Sequence, residues 1–74
     1  MNAADRLADY FRHRPGEWIP SIDLMPIGGL CSWRTRVAEL RRAPYDMRIE
    51  NDASEVVVRP DGSWARFSKY RFVL

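Results

Sequence analysis

Between Ser32 and Pro44 the chain carries Arg34, Arg36, Arg41 and Arg42 against a single acid, Glu39, with the small residues Thr35 and Ala38 between them. Guanidinium groups are planar forks of N–H donors that match guanine O6/N7 and phosphate oxygens, and small neighbours allow close approach to base edges. The chemistry on offer is therefore recognition of a polyanion. A second basic set, Arg66, Lys69 and Arg71, occupies residues 62–74, where there is no acid. The carboxylates gather elsewhere, at Asp5, Asp9, Glu17, Asp23, Asp46, Glu50, Asp52, Glu55 and Asp61. A net charge of +2 says little by itself, but this separation of sign describes a one-sided surface for an anionic partner.

Bond-making chemistry has no comparable support. The one histidine, His13, lies among basic residues and reads as solvated surface, and no spacing brings together Ser/His/Asp, Cys/His or paired carboxylates. The single cysteine, Cys31, forms no disulfide within the chain and belongs to no zinc-type spacing; it reads as a small buried hydrophobe rather than a reactive thiol. Gly28-Gly29 lacks the lysine and spacing of a phosphate loop and reads as a turn. A non-enzyme is expected, with no cofactor, no metal and no small-molecule substrate. Apolar runs are too short to span a membrane and the N-terminus lacks a signal-peptide pattern, so the expectation is a cytoplasmic protein with a reduced thiol and no membrane partner.

The elements that must hold these residues follow from periodicity. With 74 residues and 46% apolar content, the chain supports one compact domain, residues 1–74. Ala4, Leu7, Ala8 and Phe11 recur at helical spacing after a potential Asn2 cap, predicting a first helix over about 3–13. Asp5 and Asp9 lie near Arg6, Arg12 and His13 and offset part of their charge. Glu17–Pro20 suits a short extended edge. Ser21 is placed as the cap of a second helix over about 21–26, stopped by Pro26 and Gly28-Gly29. Ser32 is placed as the cap of a third over about 32–43, ended by Pro44. Two capped helices around a glycine turn predict a helix-turn-helix. From Met47 the period falls to two, and Pro60-Asp61-Gly62-Ser63 is a strong turn signal, giving a hairpin over about 46–73. A bulge or sharp twist is expected between Arg66 and Lys69, where the alternation breaks. The fold expected is α+β, a winged helix-turn-helix with three helices, a short strand and a C-terminal β-hairpin wing.

On the third helix, Trp33, Val37 and Leu40 define the buried side, which leaves Arg34, Thr35 and Arg42 for a major groove. Ser32, Arg41, Arg59, Arg66 and Lys69 are assigned to the DNA backbone, whose contacts position without reading sequence. Arg36 reads equally as a DNA contact or as a partner for Glu39. Asp52, Glu55 and Asp61 argue against a wing lying on phosphates.

The run Gly16, Trp18-Ile19, Ser21-Ile22-Asp23, Gly29, Arg36-Val37, Glu39-Leu40-Arg41, Tyr45 and Tyr70-Arg71-Phe72 resembles the small winged helix-turn-helix proteins of phages and prophages. That resemblance covers nearly the whole chain through residues that define the fold. It implies double-stranded DNA as partner and a place in transcriptional control, excision or replication. Pro20, Pro26 and Pro44 depart from the family pattern, and the Asp52–Glu55 segment lengthens the hairpin. The rival expectation is a protein-interaction module on the same fold, or a homodimer, docking through Trp18, Trp64 and Phe67 if these are exposed.

Overall fold

The computed structural model describes residues 2–74. Its elements are α1 (Ala3–Arg12), β1 (Ile19–Pro20), α2 (Ser21–Gly28), α3 (Trp33–Leu40), β2 (Arg48–Val58) and β3 (Trp64–Val73). The architecture is α+β, with three helices and a three-stranded antiparallel sheet of order β1-β3-β2.

Helix α1 begins at a reciprocal cap: the Asn2 side chain accepts the Asp5 N–H at 2.8 Å, and the Asp5 carboxylate accepts the Asn2 N–H at 3.4 Å. Its apolar stripe of Ala4, Leu7, Ala8 and Phe11 is buried. Leu7 and Phe11 each contribute about 1.5–3 kcal/mol by leaving water. They meet Leu24 of α2, Trp33, Val37 and Leu40 of α3, and Ile19, Met47, Ile49 and Tyr70 in one core. Trp33 stands edge-on to Tyr70, ring centroids 5.7 Å apart, and so ties α3 to the sheet.

The second helix differs from expectation at both ends. Pro20 holds the cap position and Ser21 is already helical and buried, because β1 runs through Pro20, paired with Lys69, directly into the helix. Pro26 does not stop the helix, which continues to Gly28. Proline deprives the Ile22 carbonyl of its helical donor, but both residues lie on the exposed side, where that loss is tolerated. The stop is Gly29, at φ 99°, whose N–H closes on the Met25 carbonyl at 2.8 Å. Gly28 has a separate task. A Cβ there would lie 2.8 Å from Leu7 Cδ1 and 3.1 Å from Trp33 Cα and Cβ, so its bareness lets α1 and α3 close on the end of α2.

Helix α3 is shorter than the expected 32–43. It tightens at Leu40, where the Arg41 and Arg42 N–H groups reach back three residues to Ala38 and Glu39. Asp46, at φ 49°, and a Met47 N–H bond to the Leu40 carbonyl then lead into β2.

In β2 and β3 the pairing runs from Arg48↔Val73 to Asp52↔Lys69, shifts, and resumes from Glu55↔Phe67 to Val58↔Trp64. Ala53 and Ser54 together oppose Ser68. The irregularity thus sits at the height expected, but the extra residue is on β2, and β3 alternates without interruption. Asp52 stabilises the bulge by accepting both the N–H and the O–H of Ser54. At the far end, Gly62 at φ 87° gives its N–H to Arg59, and Arg59 gives its own to Ser63, closing a three-residue turn. The hairpin extends past the helices, and the molecule measures 44 × 24 × 18 Å.

Candidate nucleic-acid interface

Burial of Trp33, Val37 and Leu40 fixes the rotation of α3 and turns Arg34 and Thr35 into solvent; Arg42, expected on the same helix, lies exposed in the turn that follows Leu40, because the helix ends earlier than its sequence pattern suggests. The Arg34 guanidinium lies 5.2 Å from the centre of the Trp33 ring, held near the start of the helix by a cation–π contact. Arg42 and Thr35 have no carboxylate partner among the described residues. Arg36 is different: its Nη1 lies 3.2 Å from Glu39 Oε1 and its Nε is buried. The acid of α3 is therefore engaged by Arg36, which leaves Arg34 and Arg42 uncompensated.

Ser32 does not cap. Its backbone, at φ −115° and ψ 1°, turns the hydroxyl back to the Gly28 carbonyl at 3.4 Å instead of forward to the helix. The N–H groups of Arg34 and Thr35 consequently find no backbone acceptor among the described residues, as at other uncapped helix starts. Leu30 and Cys31 beside it are exposed, so the expectation of a buried thiol is corrected: the connection between α2 and α3 lies over the core's edge and not in it. Arg41 is largely occupied, since its Nε and Nη2 both donate to the Ile49 carbonyl, at 3.1 and 2.9 Å, pinning the end of α3 to the start of β2.

The basic residues of the hairpin divide between its faces. Strand alternation puts Trp64, Arg66, Ser68 and Tyr70 on the side the helices cover, and Phe67, Lys69 and Arg71 on the other. Arg66 is exposed on the helix side of the sheet. Lys69 lies on the outer face, 4.0 Å from Asp52 and 5.4 Å from the centre of the Trp18 ring. Next to it Arg71 stacks at 4.5 Å on the same indole and pairs with Glu50. Two lanes of opposite charge thus cross the outer face over Trp18. Trp18 and Phe67 share this face, whereas Trp64 belongs to the other, so the three aromatics do not form one patch.

No protein-family model matches the sequence, and no curated protein or solved structure matches it.

At the hairpin tip Arg59 is exposed, with Ser63 Oγ 3.5 Å from its Nη1. Asp61 accepts both the O–H and the N–H of Ser63, which hold its carboxyl below the ordinary range. Ser54 does the same to Asp52, with a smaller contribution from Lys69. These two acids build the turn and the bulge. His13 is exposed, its Nδ1 against the Asp9 carbonyl at 2.7 Å. Among the described residues no group of three His, Cys, Asp or Glu side chains converges as a metal site, and no helix is long and apolar enough to cross a membrane.

Sequence reasoning missed Gly28 as a contact point and Arg41 as a clamp. The first needed the helix boundary to move by two residues. The second depends on a long-range approach to Ile49 that local pattern does not encode.

Proposed function

We propose that the chain is a duplex-DNA-binding protein of the winged helix-turn-helix type, with α3 as the groove helix and the β2–β3 hairpin as the wing. One observation carries this reading: α3 buries its apolar side and presents Arg34 and Thr35 to solvent at its start, with Arg42 exposed just beyond its end, and the helix's one acid, Glu39, is engaged by Arg36. Forked donors beside a small residue at the start of a helix are what base-edge readout requires. Arg66, on the side of the sheet that carries the helices, and Arg59 at the tip supply backbone contacts. The resemblance to small phage proteins points to transcriptional control or to an accessory task in excision or replication, in a cytoplasmic setting and without a cofactor.

The test is selection from a mixed duplex pool, followed by binding across a salt series. Arg34→Ala should relax base preference, and Arg66→Ala should weaken all sites evenly and lower the salt slope by about one unit. Equal small effects of both substitutions would refute the assignment. A protein-interaction module remains the second reading, favoured by the exposed Val56, Val58, Trp64 and Phe67 of the hairpin.

A further inference from the structure

The outer half of β2 is an open edge whose safeguards, the bulge at Ala53-Ser54 and Pro60, lie at its two ends and leave the stretch between them bare. In the order β1-β3-β2 this strand has a neighbour on one side only, and Glu55-Val56-Val57-Val58 contains no lysine, proline or bulge to deter pairing. Its three valines are exposed and lie on both faces, Val56 at 50%, Val57 at 41% and Val58 at 70%, with Trp64 beside Val58 at 62%.

Backbone direction selects how this edge can pair. Arg59 gives its N–H to Ser63, so by alternation Val57 and Glu55 also turn their polar groups toward β3, and Val56 and Val58 turn theirs to the open side. A second antiparallel β2 must therefore match Val56 and Val58. Pairing Val56 with Val58 satisfies both residues on both chains. Sliding one way opposes Val56 to Pro60, which has no N–H, and sets Glu55 against Asp61. Sliding the other way runs Val58 into Ser54, inside the bulge.

We propose that residues Glu55–Arg59 are a self-pairing edge through which two copies of this chain join antiparallel about a two-fold axis at Val57. In that register four backbone hydrogen bonds form between the Val56 and Val58 positions. Glu55 stands opposite Arg59 of the second copy, twice by symmetry. Glu55 has no partner among the described residues and Arg59 has only Ser63, so the charges are available and complementary. The pairing extends two sheets into one and leaves α3 of each copy untouched, so it goes beyond DNA binding and does not depend on it.

The experiment is sedimentation velocity of the full chain, without DNA, over a concentration series. The unmodified chain should dimerise. Glu55→Arg and Arg59→Glu should each raise the dimer dissociation constant at least about tenfold, because each turns two attractive cross-strand pairs into two repulsive ones. The double reversal should restore it to within about threefold. A monomer up to about 1 mM, indifference to the single reversals, or failure of the double to restore would each overturn the proposal. Thermal melts guard against misfolding, since all these residues are exposed. In a Cys31→Ser background, Val57→Cys should also oxidise to a symmetric disulfide and Val56→Cys should not, because only position 57 faces itself across the axis. A monomer that still binds DNA would remove this pairing and leave the DNA reading standing.

Discussion

Gly28→Ala should destabilise the fold even though alanine is the better helix former. Gly28 ends α2, where exchange for alanine gains at most about 1 kcal/mol of helix propensity. Against that, the new methyl would sit 2.8 Å from Leu7 Cδ1 and 3.1 Å from Trp33 Cα and Cβ. Leu7 is wholly buried and cannot swing aside, and the Trp33 contacts involve the main chain of α3. Overpacking of this kind costs about 1–3 kcal/mol, so even with the full propensity gain the net loss is about 0–2 kcal/mol, with a midpoint of about 1 kcal/mol. For a domain of this size the midpoint lowers Tm by roughly 4–8 °C. Circular dichroism melts measure it directly. The cause is checked by adding Leu7→Ala, which alone costs about 2–5 kcal/mol by leaving a cavity. With the methyl filling part of that space, the double variant should lose less than the sum of the singles. A Tm equal to or above that of the parent, or strict additivity with Leu7→Ala, would refute the argument that this glycine seats α3.

Two further perturbations probe links between elements. Tyr45 donates its hydroxyl to Asp5, which holds the Asp5 carboxyl below its ordinary range and the Tyr45 phenol above its usual 10.0. The lowered acid contributes stability above the ordinary carboxylate range that is lost as pH falls through its folded pKa; the raised phenol contributes stability below about 10 that is lost as pH rises. Tyr45→Phe should therefore reduce the urea midpoint most near neutrality, with the difference shrinking at both extremes, and a pH-independent difference would contradict this. Arg41→Lys should cost about 1 kcal/mol and loosen the junction of α3 with β2, because an ammonium is a point donor and cannot fork onto the Ile49 carbonyl, and faster amide exchange at Met47 is the readout.

Much of the architecture was legible because local signals and packing agreed. Asn2 and the stripe Ala4, Leu7, Ala8 and Phe11 marked α1, Trp33, Val37 and Leu40 set the rotation of α3, and the turn at Pro60–Ser63 located the hairpin. Errors arose where a residue's ordinary local preference was overridden. Ser21 and Ser32 are strong caps in isolation, yet one is preceded by a strand that runs into the helix and the other is turned back by its own backbone angles. Pro26 reads as a stop only if its solvent exposure is unknown. The candidate site was less legible than the fold: Lys69 and Arg66 look alike in sequence, and only the strand pairing shows that Lys69 faces Asp52 and Trp18. Arg36 stayed ambiguous until its distance to Glu39 was known.

The central claim is that the outward face of α3 reads duplex DNA, and salt-dependent anisotropy with the parent chain, Arg34→Ala and Arg66→Ala tests it most directly. The account predicts binding that falls steeply with salt, a common motif among retained duplexes, loss of that motif's advantage in Arg34→Ala, and a uniformly weaker, flatter profile in Arg66→Ala. No binding at low salt, or a motif preference that survives Arg34→Ala unchanged, would contradict it.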